Sequence, residues 1–180
     1  MKTLVLAIDL TGAWLFKEPN DAPGQPHILR VAMCGADAEN TAVHLVKPEP
    51  GWILEESAVA VHGISADAAR HGQPLAKVMN DVMQQMMDAD RVVLYGAAFW
   101  TKVLDQIIPG WKSITTVFDA MIEAKIVMNS SVFPKFTDAY AFFTRSKYVP
   151  NLDAVEGGLH KLQATVDIYH GICRATGKEA

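Results

Sequence analysis

Little in this chain points to a metal scaffold, a membrane or a polyanion. Its only cysteines are Cys34 and Cys173. They lie far apart and outside any Cys-x-x-Cys or Cys/His cluster, which argues against a zinc site or a disulfide framework. The six histidines are likewise scattered. No apolar run approaches the roughly 18 residues of a membrane span, and no Gly-rich phosphate loop, Gly-x-Ser-x-Gly elbow or His-Glu-x-x-His motif occurs. Positive charge is not in excess: the formal net charge is −4. The global field therefore does not favour tight, sequence-independent contact with nucleic acid, and such binding would need a local patch. The first residues carry one Lys and a short apolar run broken by Asp9, unlike a signal peptide, so a cytoplasmic location is expected. Internal repeats and low-complexity tracts are also lacking.

What is present is apolar sequence in quantity. Half of 180 residues are hydrophobic, enough for one well-formed core and too few for two comfortable domains; a single domain over 1–180 is expected. Thr3 to Leu10 reads as a buried strand. After a Pro/Gly-rich loop from Pro19 to Pro26, Ile28 to Cys34 and Thr41 to Val46 read as two more, with short links that predict an antiparallel meander. Ser65 is placed to cap a short helix. Pro74 opens a longer one, in which Leu75, Val78, Met79, Val82 and Met86 recur at helical spacing. A strand at Val92 to Tyr95, a helix from Phe99 to Ile108 and a strand at Ile114 to Phe118 form a βαβ unit. Helices at Ala120 to Met128, Lys135 to Phe143 and Leu159 to Ala175 complete the chain. The expected class is α/β: a mixed five-stranded sheet, with a three-stranded antiparallel meander and parallel strands after it, flanked by helices.

The first strand ends Ile8-Asp-Leu-Thr-Gly12. Residues two apart on a strand share a face, so Asp9 and Thr11 point together, one carboxylate and one neutral hydroxyl. This segment resembles a degraded first motif of the DEDDh 3′–5′ exonucleases, the proofreading-subunit and RNase T type of enzyme on a ribonuclease H-like fold, in which Asp-x-Glu-Thr-Thr-Gly is usual. His62-Gly-Ile-Ser65 and Gly72-Gln-Pro-Leu75 resemble the family's His-Gly-Ile-Thr turn and Gly-x-Pro-Leu helix start. Val92 to Leu104 resembles its second motif, and Leu159 to Thr165 its third, in which a His is followed five residues later by Asp. The similarity runs from about residue 3 to 175.

Carried over residue by residue, the resemblance gives Asp9 the first acid and His160 the general base. Thr11, Trp100 and Thr165 stand where the other three acids would be, and Tyr95-Gly96 replaces His-Asn. The family reaction uses two divalent cations about 4 Å apart, and such hard cations take oxygen ligands, chiefly carboxylates. One Asp and two hydroxyls do not make such a cage, and no metal is expected, except at Asp9 if anywhere. Asp167 lies about 20° around a helix from His160 and Thr165 about 140°, so Asp167 does not stand in for Thr165. Asp105 is more than a turn beyond Trp100, and Asp119 corresponds to a family position that is not a metal ligand.

The expected function is that of a catalytically degenerate exonuclease-fold protein, inactive as a nuclease, that binds single-stranded nucleic acid or a protein partner without a cofactor. The candidate nucleic-acid contacts are Tyr95, Trp100, Arg145 and Lys147. The last two lie in Pro134 to Tyr148, where three basic residues interleave with five aromatics. Trp on such a surface can stack a base, although a Trp in an apolar helix also simply fills volume. Two alternatives stand beside this reading. One is a divergent Mg²⁺- or Mn²⁺-dependent 3′–5′ exonuclease with residual activity through Asp9 and His160; the other is a structural or regulatory interaction module. Oligomeric state is not legible.

Overall fold

A computed structural model describes residues 1–19, 22, 24–146 and 157–178. Five strands form one mixed sheet: β1 (Thr3–Leu10), β2 (Ile28–Gly35), β3 (Ala42–Leu45), β4 (Arg91–Leu94) and β5 (Thr116–Asp119), in the order β3-β2-β1-β4-β5. The first three pair antiparallel, and β4 and β5 run parallel to β1. The central strand β1 is apolar on both faces, and all eight of its residues are buried.

Alternation along β1 divides the core. Leu4, Leu6, Ile8 and Leu10 face one layer, packed with Val78, Val82 and Met86 of α3 (Leu75–Met87) and Val103 and Leu104 of α4 (Ala97–Asp105). Val5 and Ala7 face the other layer, built from α5 (Ala120–Val127), α6 (Phe136–Thr144) and α7 (Gly157–Thr176). Asp9 continues this second row, so its side chain leaves the sheet on the α7 side. The meander followed by parallel units, expected from the strand and helix periodicities, is the observed fold.

Boundaries differ modestly. The fourth helix starts at Ala97, two residues before Phe99, because Gly96 adopts a left-handed conformation (φ 81°) and Asp119 caps the helix from the neighbouring strand end, accepting from the Gly96 and Ala98 amides. The short helix capped by Ser65 is present as α2 (Ala66–Arg70), the Ser65 hydroxyl accepting from the Ala68 amide. One α-helix was not anticipated: α1 (Glu56–His62), with no side-chain cap and only His62 buried, is closed by left-handed Gly63. An amphipathic stripe this thin gives no helical period to read.

Candidate functional site

At the carboxyl ends of the parallel strands, where open α/β sheets place their ligands, stand Asp9 of β1, Tyr95 just after β4 and Asp119 of β5. Asp9 pairs in register with Arg30 on β2, followed at once by an irregularity between Asp9 and Leu10. Residues directly opposite on antiparallel strands project from the same face. The Arg30 Nε therefore donates to Asp9 Oδ2 at 2.7 Å, with Arg30 only 1% and Asp9 7% exposed.

The second oxygen of Asp9 is also taken. Lys161, in the second turn of α7, donates from Nζ to Asp9 Oδ1 at 3.0 Å and to the Ile8 carbonyl at 2.8 Å. Its ammonium stands 5.6 Å from the centroid of the Trp100 ring, within the range of a cation–π contact. Burial is the largest single influence on Asp9 and raises its pKa, yet Lys161 and Arg30 together outweigh it and hold the carboxyl below the ordinary 3.8. Buried charges persist only when paired in this way.

Helix phase explains why Lys161 enters and His160 does not. Leu162, Val166, Tyr169 and Ile172 face the sheet and set the buried stripe of α7. Lys161 lies one position before Leu162, at the border of that stripe, and His160 is turned a further ~100° away onto the exposed face. Gly158 brings the start of α7 close to the sheet: a Cβ there would come within 2.8 Å of Arg30 Nε and 2.9 Å of its Cδ. His160, set against the family's general base by the sequence resemblance, is exposed, and the α7 residue that contacts Asp9 is Lys161.

The three residues that the sequence resemblance sets against family acids are engaged otherwise. The Thr11 hydroxyl accepts from the His27 amide at 2.9 Å, extending the β1–β2 pairing by a side-chain link. Thr165 is buried, and its hydroxyl bonds back to the Lys161 carbonyl at 2.8 Å within α7. Trp100 does enter the cleft, held by its indole Nε1–H donating to the Tyr95 carbonyl at 3.1 Å and by an edge-on contact with Phe99. Asp167 is bonded to Gln163 along the outside of α7, Asp105 lies 3.9 Å from Lys112, and Asp119 caps α5 through the Met121 and Ile122 amides.

Above this floor lies a groove of about 360 Å³ whose lining includes Trp14, Phe99, Trp100, Val61, His62 and Lys161. Phe99 links the aromatic wall, edge-on to Trp14 at 5.7 Å and tilted against Phe16 at 5.9 Å. His62 is buried, with Nδ1 accepting from the Ile64 amide at 3.0 Å. Burial chiefly lowers its pKa below 6.5, against the pull of Asp9 and the Leu10 carbonyl, while Arg30 and Lys161 push the same way as burial.

Other candidates sit apart. Tyr95 does not line the groove: its hydroxyl donates to the Pro134 carbonyl at 2.7 Å and its ring meets Phe136 edge-on, and burial raises its pKa, with Asp138 and Asp119 adding to the effect. Arg145 ends α6 in a left-handed conformation and is exposed, also outside the groove lining. Lys147 lies outside the described residues.

The donor set does not fit a pair of divalent cations. Among the described residues no three His, Cys, Asp or Glu side chains gather closely enough to hold a metal, and Asp9, the carboxylate lining the groove, faces two protein cations. Arg30 and Lys161 were not singled out in the sequence. A signal existed for Arg30, an unaccompanied charge in the apolar strand Ile28-Leu-Arg-Val-Ala-Met-Cys34, because a buried charge requires a partner. Lys161 is legible only once the phase of α7 is fixed.

No protein-family profile and no curated protein sequence matches the chain. Solved structures do. A 3′-exonuclease in 3′-end-specific recognition of the histone mRNA stem-loop superposes with a TM-score of 0.70 at 12% identity, covering 98% of this chain and 64% of that one. Exonuclease X in complex with 5′-overhanging duplex DNA gives 0.66 at 14%, covering 99% and 95%. Exonuclease I of E. coli with a dA16 oligonucleotide gives 0.69 at 13%, covering 98% and 41%. The chain thus spans under two thirds of the first and third of these proteins. The nuclease domain of 3′hExo, a DEDDh family member, is also similar. At such identities the likeness establishes the fold: this chain has the fold of the DEDDh 3′-exonucleases.

Proposed function

We propose that this chain is a metal-independent binding protein built on the DEDDh exonuclease fold, one that holds a nucleic-acid end in its aromatic groove and does not cut it. The engagement of both Asp9 oxygens, by Arg30 at 2.7 Å and Lys161 at 3.0 Å, supports the reading most directly. A two-metal hydrolysis needs a cage of oxygen ligands with enough negative charge for the ions and the water they activate. Among the described residues the carboxylate lining the groove, Asp9, is already paired from within, and Thr11 and Thr165 spend their hydroxyls on the backbone. No catalytic step is assigned to His160, which stands on the exposed face of α7.

Nucleic acid as the ligand is supported by the groove's aromatic wall, which suits base stacking, and by the DNA and RNA ligands named for the structural neighbours. The test is incubation of 5′-labelled single-stranded DNA and RNA with the protein in Mg²⁺, in Mn²⁺ and in EDTA. Intact oligonucleotides with a retarded band in all three are expected. Trp100→Ala should weaken retention by about 5- to 150-fold, the equivalent of one stacked base at ~1–3 kcal/mol. A ladder of shortened products that disappears in Asp9→Ala and His160→Ala would instead identify a divergent metal-dependent exonuclease.

A protein partner is the second reading, favoured by the apolar groove rim. Phe16 is 71% and Val61 64% exposed, more apolar surface than a site for phosphates requires. In that case oligonucleotides would go unretained, and Phe16→Asp would abolish a stable oligomer or complex without altering the fold.

A further inference from the structure

We propose that Lys161 occupies a cation site of its own chain, its ammonium filling a seat formed by the Asp9 carboxylate, the Ile8 carbonyl and the face of Trp100, so that removing the side chain leaves a site for a small primary alkylammonium ion. Two oxygens lie at 3.0 and 2.8 Å from Nζ, and an aromatic ring centre at 5.6 Å. Oxygen donors on one side and a π face on another are the surroundings that proteins offer to ammonium cations. The seat is built from three separate elements: the end of β1 supplies both oxygens, α4 the ring, and α7 the cation. Each is fixed by something other than the cation. β1 is held between β2 and β4. The Trp100 indole is anchored on the Tyr95 carbonyl. The α7 backbone is set by its buried Leu162, Val166 and Tyr169 stripe.

The consequence is electrostatic. The chain carries the charge that meets Asp9 on its groove side covalently. The seat cannot be emptied by chelation, and the groove above it keeps its shape without metal. Arg30 holds the other Asp9 oxygen from the sheet side, so Lys161 is the member of the cluster that faces the groove, with 27% of its side chain exposed.

The inference rests on the reading of the cleft as metal-free. Its tests read stability and proton exchange, not strand cleavage, so each can fail alone. Lys161→Ala is expected to lower the thermal midpoint by several degrees. Ethylammonium chloride at tens of millimolar should recover much of that loss in a saturable way. Sodium or tetramethylammonium chloride at equal ionic strength should not, wild type should not respond, and Asp9→Asn/Lys161→Ala should lose the rescue. Equal effects of all three salts, or an equal response of wild type, would overturn the proposal. Where Lys161→Ala does not fold, the wild-type ammonium is read directly. ¹⁵N-lysine spectra should show one Lys ammonium with slowed proton exchange that is lost in Asp9→Asn, and uniformly fast exchange would contradict the assignment.

Discussion

Asp9 carries the chemistry that can be tested most sharply on a single residue. Its carboxyl sits below its unfolded value of 3.8 because Lys161 and Arg30 overcome the opposing effect of burial. A depressed carboxyl contributes stability that is complete above the unfolded pKa and is lost as pH falls through the folded one. His62 has the opposite charge type and the same sign of dependence: its folded pKa is below 6.5, so the unfolded chain takes up the proton first and stability declines as pH falls from about 6.5. Denaturant midpoints should therefore drop in two stages, the lower one below pH 4. Asp9→Asn should erase that lower stage and, by removing the charge that pulls the His62 pKa up, deepen the upper one. Replacing the carboxylate removes the charge that Arg30 and Lys161 both bond, at a cost of about 3–5 kcal/mol by analogy with other broken buried pairs. Gly158→Ala acts on the same pair from above. Its methyl would crowd Arg30 Nε and Cδ, and a loss of about 1–3 kcal/mol typical of overpacking is expected in equilibrium unfolding.

Elements decide which residues meet, and here the sequence was legible in part. The strand Thr3 to Leu10 and the α3 stripe of Val78, Val82 and Met86 were readable because one is apolar without interruption and the other keeps a 3.6-residue period. Helix α1 was not, since it buries only His62. The third-motif resemblance fixed the order His160, Lys161, Thr165 but not the rotation of α7, and ~100° of rotation exchanges a histidine for a lysine at the site. That rotation is set by tertiary packing, including the close approach of α7 to α6 at Gly171. A Cβ there would lie 2.5 Å from the Phe143 Cβ. Gly171→Ala should therefore destabilise the fold by about 1–3 kcal/mol. Because the pressure falls on the helix, it should also weaken the Lys161–Asp9 contact, visible as faster exchange of the Lys161 ammonium.

At the scale of the whole molecule, a sheet with the fold of the DEDDh exonucleases carries a cleft whose Asp9 carboxylate is paired with two cations of the same chain. The fold was recoverable from spaced motifs at identities where whole-sequence comparison finds no relative. The site was legible only in part: the resemblance picked out Asp9, Thr11, Trp100 and Thr165, while Arg30, which lies outside the quoted motifs, and Lys161, which lies inside the third without a role there, are the residues that bond Asp9. Binding that depends on the groove should be insensitive to EDTA and should weaken with salt in proportion to the phosphates contacted. Arg145→Ala, on the exposed end of α6, should reduce that salt slope by about one if the strand reaches so far.

The most direct measurement is water-proton relaxation during Mn²⁺ titration of the wild-type protein and Asp9→Asn. A corner neutralised by Arg30 and Lys161 predicts no saturable enhancement that depends on Asp9, with the two proteins giving superimposable curves. One or two Mn²⁺ sites in the wild type that vanish in Asp9→Asn would contradict the account and return the cleft to metal-dependent chemistry.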